Sequence, residues 1–147
     1  MKKAFGIITM FVAIASMAFI TSCTKDKEDL IVGKWKFEKA NMTVTADDPE
    51  IQALIDQYLV FEIQELNEEM KSTQVEFKAD GTYVATDEEG SNDSGTWEIK
   101  GDFITFDGET WTINTLTKST LILESSEIYD DEDIAGTWTM TLEFKKM

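Results

Sequence analysis

The chain has 147 residues and sets 13 lysines, with no arginine and no histidine, against 29 acidic residues, for a formal net charge of −16. A nucleic-acid-binding surface needs clustered positive charge, so this balance excludes that partner. The missing histidine and arginine remove Ser-His-Asp and Cys-His catalysis, imidazole metal sites and bidentate guanidinium clamps. The scattered carboxylates offer no pair that the sequence singles out, so the reading is of a protein that is not an enzyme and needs no cofactor or metal.

Residues 1–22 open with Lys2 and Lys3, run through an apolar stretch from Ala4 to Ile20 and end in small residues before Cys23, the only cysteine. Basic start, apolar core and small residues at the cut make a secretory signal peptide. The stretch lies at the short edge of a membrane span, and no basic stop-transfer cluster follows it. Ile20-Thr21-Ser22-Cys23 resembles the lipobox of bacterial lipoproteins, where the cysteine becomes the lipid-bearing first residue. That resemblance implies lipidation at Cys23 and the membrane as a partner through that lipid. It also implies a place in the cell envelope, anchored to the outer membrane and facing either the periplasm or the cell surface. With more than one acyl chain the attachment is stable. Cys23 is then unavailable for a disulfide or for metal binding.

Residues 23–30 are charged and lack periodicity, which reads as a lipidated tether. Lys25-Asp26-Lys27-Glu28-Asp29 loosely resembles the lysine-plus-acid signal that sends some lipoproteins to the outer surface. Residues 31–147 suit one domain with a modest core. From Ile31 to Glu38 the chain alternates, with Gly33, Trp35 and Phe37 on one face, as a half-buried strand does. Asp48 then caps a helix and Pro49 suits its first turn. Ile51, Leu54, Ile55, Tyr58, Leu59, Ile63, Leu66 and Met70 recur at three- and four-residue steps as far as Lys71. Eight large apolar residues on one stripe predict a docked helix, either a plug across the barrel mouth or a lid.

Short strands follow: Thr73–Lys78, Thr82–Thr86, Thr96–Lys100, Phe103–Phe106, Thr110–Leu116, Thr120–Glu124 and Thr137–Lys145. Turn chemistry separates them at Ala79-Asp80-Gly81, Asp87–Gly95, Lys100-Gly101-Asp102, Asp107-Gly108 and Lys118-Ser119. The last strand carries Trp138, Met140, Leu142 and Phe144 on one face. The architecture predicted is mainly β: an eight-stranded antiparallel up-and-down barrel with one helix inserted between strands 1 and 2, closure removing exposed edges. A glycine followed two residues later by an aromatic recurs at Gly33/Trp35, Gly81/Tyr83, Gly95/Trp97 and Gly136/Trp138, at unequal intervals that exclude a solenoid.

Gly33-Lys34-Trp35 resembles the Gly-x-Trp signature of lipocalins. Val75-Glu76-Phe77-Lys78-Ala79-Asp80-Gly81-Thr82-Tyr83, then Gly95-Thr96-Trp97-Glu98-Ile99 and Asp102-Phe103-Ile104-Thr105-Phe106, look like the lipocalin-like lipoproteins of Gram-negative envelopes. The resemblance implies a barrel that binds a small apolar molecule without catalysis. Two features depart from the pattern: no arginine is present to stack on Trp35, and a long helix occupies the first strand connection.

The aromatic and methionine positions on strand faces are the candidate ligand lining: Trp35, Phe37, Tyr83, Trp97, Trp111, Trp138 and Met140. An eight-stranded barrel is just wide enough to be filled by such side chains or to hold one small ligand. The alternative is therefore a structural or protein-interaction lipoprotein with a filled barrel and no internal ligand, its protein partner unspecified. Two acidic runs, Asp87–Asp93 and Tyr129–Asp133, are rich in oxygen ligands, but neither follows EF-hand spacing, so they read as solvated loops.

Overall fold

The computed structural model describes residues 25–130 and 135–147. The leader, Cys23 and Asp131, Glu132 and Asp133 of the second acidic run lie outside the described residues. The elements are α1 (25–31), then β1 (Gly33–Ala46), α2 (Pro49–Met70), β2 (Gln74–Phe77), β3 (Thr82–Thr86) and β4 (Asn92–Thr96). They continue through β5 (Glu98–Lys100), β6 (Phe103–Phe106), β7 (Glu109–Leu116), β8 (Thr120–Asp130) and β9 (Ala135–Lys146). One antiparallel sheet runs in the order β4-β3-β2-β1-β9-β8-β7-β6-β5. Its first and last members, β4 and β5, are neighbours in the chain on either side of Trp97, so the sheet rolls up into a nearly closed barrel.

The architecture is mainly β, as expected, but the described residues form nine strands and two helices rather than eight and one. The extra strand lies within the segment Asp87–Gly95 that reads as a turn. Asn92–Thr96 pairs with β3 from Thr86↔Asn92 to Thr82↔Thr96. Its composition, Asn-Asp-Ser-Gly-Thr, has no apolar alternation because it buries neither face deeply, so periodicity could not reveal it. The extra helix, α1, lies in the charged run after Cys23. Ile31 at its end is fully buried, and Lys27 donates to Gly101 O (2.9 Å) and pairs with Asp102 in the β5–β6 turn. α1 thus closes the base of the barrel.

β1 also outruns its predicted end at Glu38. A bulge between Phe37 and Lys39 shifts its register against β9. Before the bulge Trp35 and Phe37 face inward; after it Ala40, Met42, Val44 and Ala46 take that face. The phase slip breaks the alternation and makes the strand look finished.

Beyond the bulge, β1 leaves β2, whose pairing with it covers Gly33–Lys36. Likewise the β7–β8 register ends at Thr112↔Glu124, while β8–β9 and β1–β9 pairing continue to Asp130↔Ala135 and Ala46↔Gly136. The upper parts of β1, β9 and β8 therefore rise above the barrel as a three-stranded wing. α2 lies along the β1 edge of that wing. Asp48 caps it as predicted, accepting from the N–H of Glu50 (2.8 Å) and Ile51 (3.2 Å). Its orientation differs from the predicted stripe: Leu59 is buried and Leu66 and Met70 lean on the core, but Leu54 and Tyr58 are exposed. Two polar side chains set that rotation. Asn67 donates to Ala40 O (2.9 Å) and accepts from Ala40 N–H (2.7 Å). Gln52 donates to Val44 O (2.9 Å) and accepts from Ala46 N–H (2.7 Å).

Candidate functional site

The core fills the lower barrel. Trp35 is fully buried, and its indole N–H donates to Ile31 O at 2.6 Å. Lys146 reaches over the ring, its ammonium 4.9 Å from the centroid, and donates to Leu30 O (2.6 Å) and Val32 O (2.8 Å). Three consecutive carbonyls at the C-terminal end of α1 are thereby satisfied by a cation and an indole, a favourable pairing with that end of the helix dipole. The cation missing from the arginine-free sequence is thus supplied by a lysine. Gly33 makes this possible: with φ of 130°, a Cβ there would lie 2.9 Å from Lys146 Cε. Burial holds the Lys146 amine below its ordinary value of 10.5.

Of the seven candidate lining residues, Trp35, Phe37, Tyr83, Trp97 and Trp111 are buried, at most 9% exposed. They pack against other rings and aliphatic side chains. Phe37 meets Phe144 edge-on at 5.9 Å, and Phe77 touches Tyr83 (6.5 Å), Trp97 (5.8 Å) and Phe106 (5.5 Å). All but the tilted Phe77–Tyr83 pair are T-shaped, a preferred geometry of aromatic pairs. The polar ends of these rings are also engaged: Trp97 donates to Lys78 O at 3.0 Å, and Tyr83 O–H donates to Asp107 at 3.3 Å. Desolvation, followed by the carboxylates of Asp107 and Asp93, raises the Tyr83 phenol above its usual value.

Trp138 and Met140 stand apart, half-buried on the inner face of the wing, where they pair across β1 with Val44 and Met42. Trp138 borders a cleft of about 540 Å³ at the barrel mouth, with Glu109 and Thr110 from β7 and Ser125 and Glu127 from β8. That volume falls within the range of ligand sites, but the lining is polar and acidic around one indole. A second groove, of about 360 Å³, runs between α2 and the edge of β1, past Met42, Val44, Thr45, Asp56, Val60 and Ile63.

Sequence reasoning missed Glu109, Thr110, Ser125 and Glu127: Thr110 lies on the polar face of β7, and the other three continue the inward series of Trp111 and of Leu121 and Leu123 with polar side chains just beyond the predicted strand ends. Lys146 had a readable signal. It continues the inward series Trp138, Met140, Leu142, Phe144 in steps of two, and a lysine on an apolar face asks for a partner. Among the described residues, no three acidic or cysteine side chains converge as a metal site. In the first acidic run, Asp87 accepts from Ser91 N–H (2.8 Å), as a turn-forming carboxylate does, and Asp93, within β4, accepts from Ser94 N–H (2.8 Å).

No curated protein matches the chain. Among solved structures it is similar to a DUF4847 family protein from Bacteroides vulgatus, with 17% identity and a TM-score of 0.41, covering 81% of this chain and 95% of that one. A family model of the lipocalin-like domain matches residues 31–123, from the end of α1 to the middle of β8. The Gly33-x-Trp35 opening, its cation partner and the antiparallel barrel lie on the same chain as that match, and this protein belongs to the lipocalin-like domain family.

Proposed function

We propose that this protein is a lipid-anchored envelope protein with a filled lipocalin-like barrel, acting without catalysis through the surface of its mouth and wing. The observation that carries this reading is the packed base, where five of the seven candidate lining residues contact other side chains and are at most 9% exposed. A molecule entering there would have to displace rings already in favourable edge contacts. The mouth cleft supports a second reading, in which a small apolar or amphipathic molecule rests against Trp138.

Native mass spectrometry of protein purified from its own envelope decides between them. The surface reading expects the lipidated chain alone, with no further small-molecule mass. A stoichiometric adduct that survives gentle desolvation, and disappears in Trp138→Ala, would establish the small-molecule reading in its place.

A further inference from the structure

The wing has two edges, and the fold treats them differently. On the β1 edge, Asn67 and Gln52 hydrogen-bond the strand backbone. Among the described residues the β8 edge has no such cover in its register: β7 pairs with β8 only as far as Thr112↔Glu124, whereas β8 runs on to Asp130.

Strand alternation says which main-chain groups face that gap. Lys146 N–H donates to Ser119 O, so odd-numbered residues of β8 turn their N–H and C=O towards β9 and even-numbered ones turn away. Glu124 faces β7 and meets Thr112; Ser126 and Ile128 face outward beyond it. On the other side, Ile113 N–H donates to Asp102 O, towards β6, so Thr112 and Thr110 turn towards β8. Thr110 opposite Ser126 would be the next pair in the ladder, yet the register stops before it. The two strands diverge there, and the mouth cleft opens between them, with Trp138 beside it.

We propose that this gap is a strand slot, which receives an extended segment of a partner protein as an added β-strand between β7 and β8. Main-chain bonds to Ser126 and Ile128 on one side and to Thr110 on the other would hold it. Its side chains would alternate between the cleft and solvent, and those entering the cleft meet the carboxylates of Glu109 and Glu127. The fitting guest therefore carries lysine or arginine at cleft-facing positions and β-branched residues between them. A second copy of this chain fits poorly, because pairing two such open edges about their middle would set Glu127 of one copy opposite Glu127 of the other, and the full sequence carries a net charge of −16. The inference rests on the surface-binding reading and names the kind of surface and partner.

The test uses the full lipidated chain in phosphatidylcholine nanodiscs and a capped peptide, Thr-Lys-Val-Thr-Val-Lys-Thr. Two controls carry glutamate for lysine or proline for the central threonine. The lysine peptide should bind saturably, more weakly as salt rises, and should slow hydrogen exchange at the N–H of Ser126 and Ile128; both controls should bind poorly. Ile128→Pro deletes one outward donor without removing a bond to β9, and Ile128 itself is 84% exposed. It should weaken the peptide by roughly fivefold to tenfold, the value of one net hydrogen bond. Glu127→Gln, which leaves the backbone alone, should flatten the salt dependence. Equal affinity for wild type and Ile128→Pro, or protection that spares β8, overturns the slot and leaves the surface reading standing. A dimer in sedimentation that Ile128→Pro dissolves would assign the edge to self-association and also overturn the foreign strand. A retained small-molecule adduct overturns the surface reading itself.

Discussion

Trp35 and Lys146 show how much one residue's partner matters. Burying the Trp35 indole contributes on the order of 3–5 kcal/mol, judged from large-to-small core substitutions, and the motif around it is visible in the sequence. Its cation is not, because Lys146 stands 111 positions further on, and only the antiparallel pairing Trp35↔Lys146 brings the two together. The environment leaves a measurable trace. Burial lowers the Lys146 amine, whereas hydrogen bonds and charge attraction from Glu68 and Glu38 raise Lys71 and Lys145. In an alkaline titration followed by NMR of the ε-amines, Lys146 should lose its proton before Lys71 and Lys145. Between its lowered native value and the unfolded value of 10.5, the unfolded chain binds more protons at this site than the folded one. That site's contribution to stability therefore rises with pH across this window, the slope following the proton difference. Lys146→Met should remove the slope, and an unchanged slope would show that Lys146 is fully solvated.

At the scale of the element, α2 was legible in extent but not in orientation. Asp48, Pro49 and the three- and four-residue steps place its ends within a residue, since capping is local chemistry. Which face turns inward depends on a strand edge that local pattern does not describe. Asn67 is decisive because one side-chain amide satisfies both main-chain groups of Ala40, as a neighbouring strand would. Asn67→Ala should leave that N–H and C=O without these bonds in a residue only 4% exposed, a loss of about 1–3 kcal/mol. Urea denaturation should show the lowered midpoint, and Ala40 N–H should exchange faster. Gln52→Ala should lose less, because Gln52 works where solvent can replace it. If Asn67→Ala matched wild type in both measurements, van der Waals packing of Leu59, Leu66 and Met70 would be holding the helix. The strands divide in the same way: apolar alternation reveals β2, β3 and β6, whereas the polar β4 and the bulged second half of β1 become strands only through their neighbours.

For the whole molecule, the barrel class could be read from turn residues and alternation, because those signals repeat at every hairpin. The position of the open cleft could not, since it arises where two ladders stop pairing, and no residue type marks that point. The proposed anchor at Cys23 carries a prediction of its own. Cys23→Ala should release the domain from membranes by removing the acyl chains of the proposed anchor; among the described residues no helix is long and apolar enough to cross a bilayer. Membrane retention of this variant after a high-salt wash would refute lipidation as the means of attachment.

The bond from Met147 N–H to Lys34 O, 2.9 Å long, sets the last residue of the chain beside the start of its first strand. Lys146 fixes the same meeting by gripping the carbonyls that precede β1. In spatial terms the barrel is already a ring, and the place where the polypeptide starts is a matter of bookkeeping rather than of packing. A circular permutant that links the C-terminus to residue 25 and reopens at the exposed Lys118–Ser119 turn would string the same strands in a new order around an unchanged core. Its fold is therefore compatible with more than one starting point in the gene, and the present order is one cut among several that the packing allows.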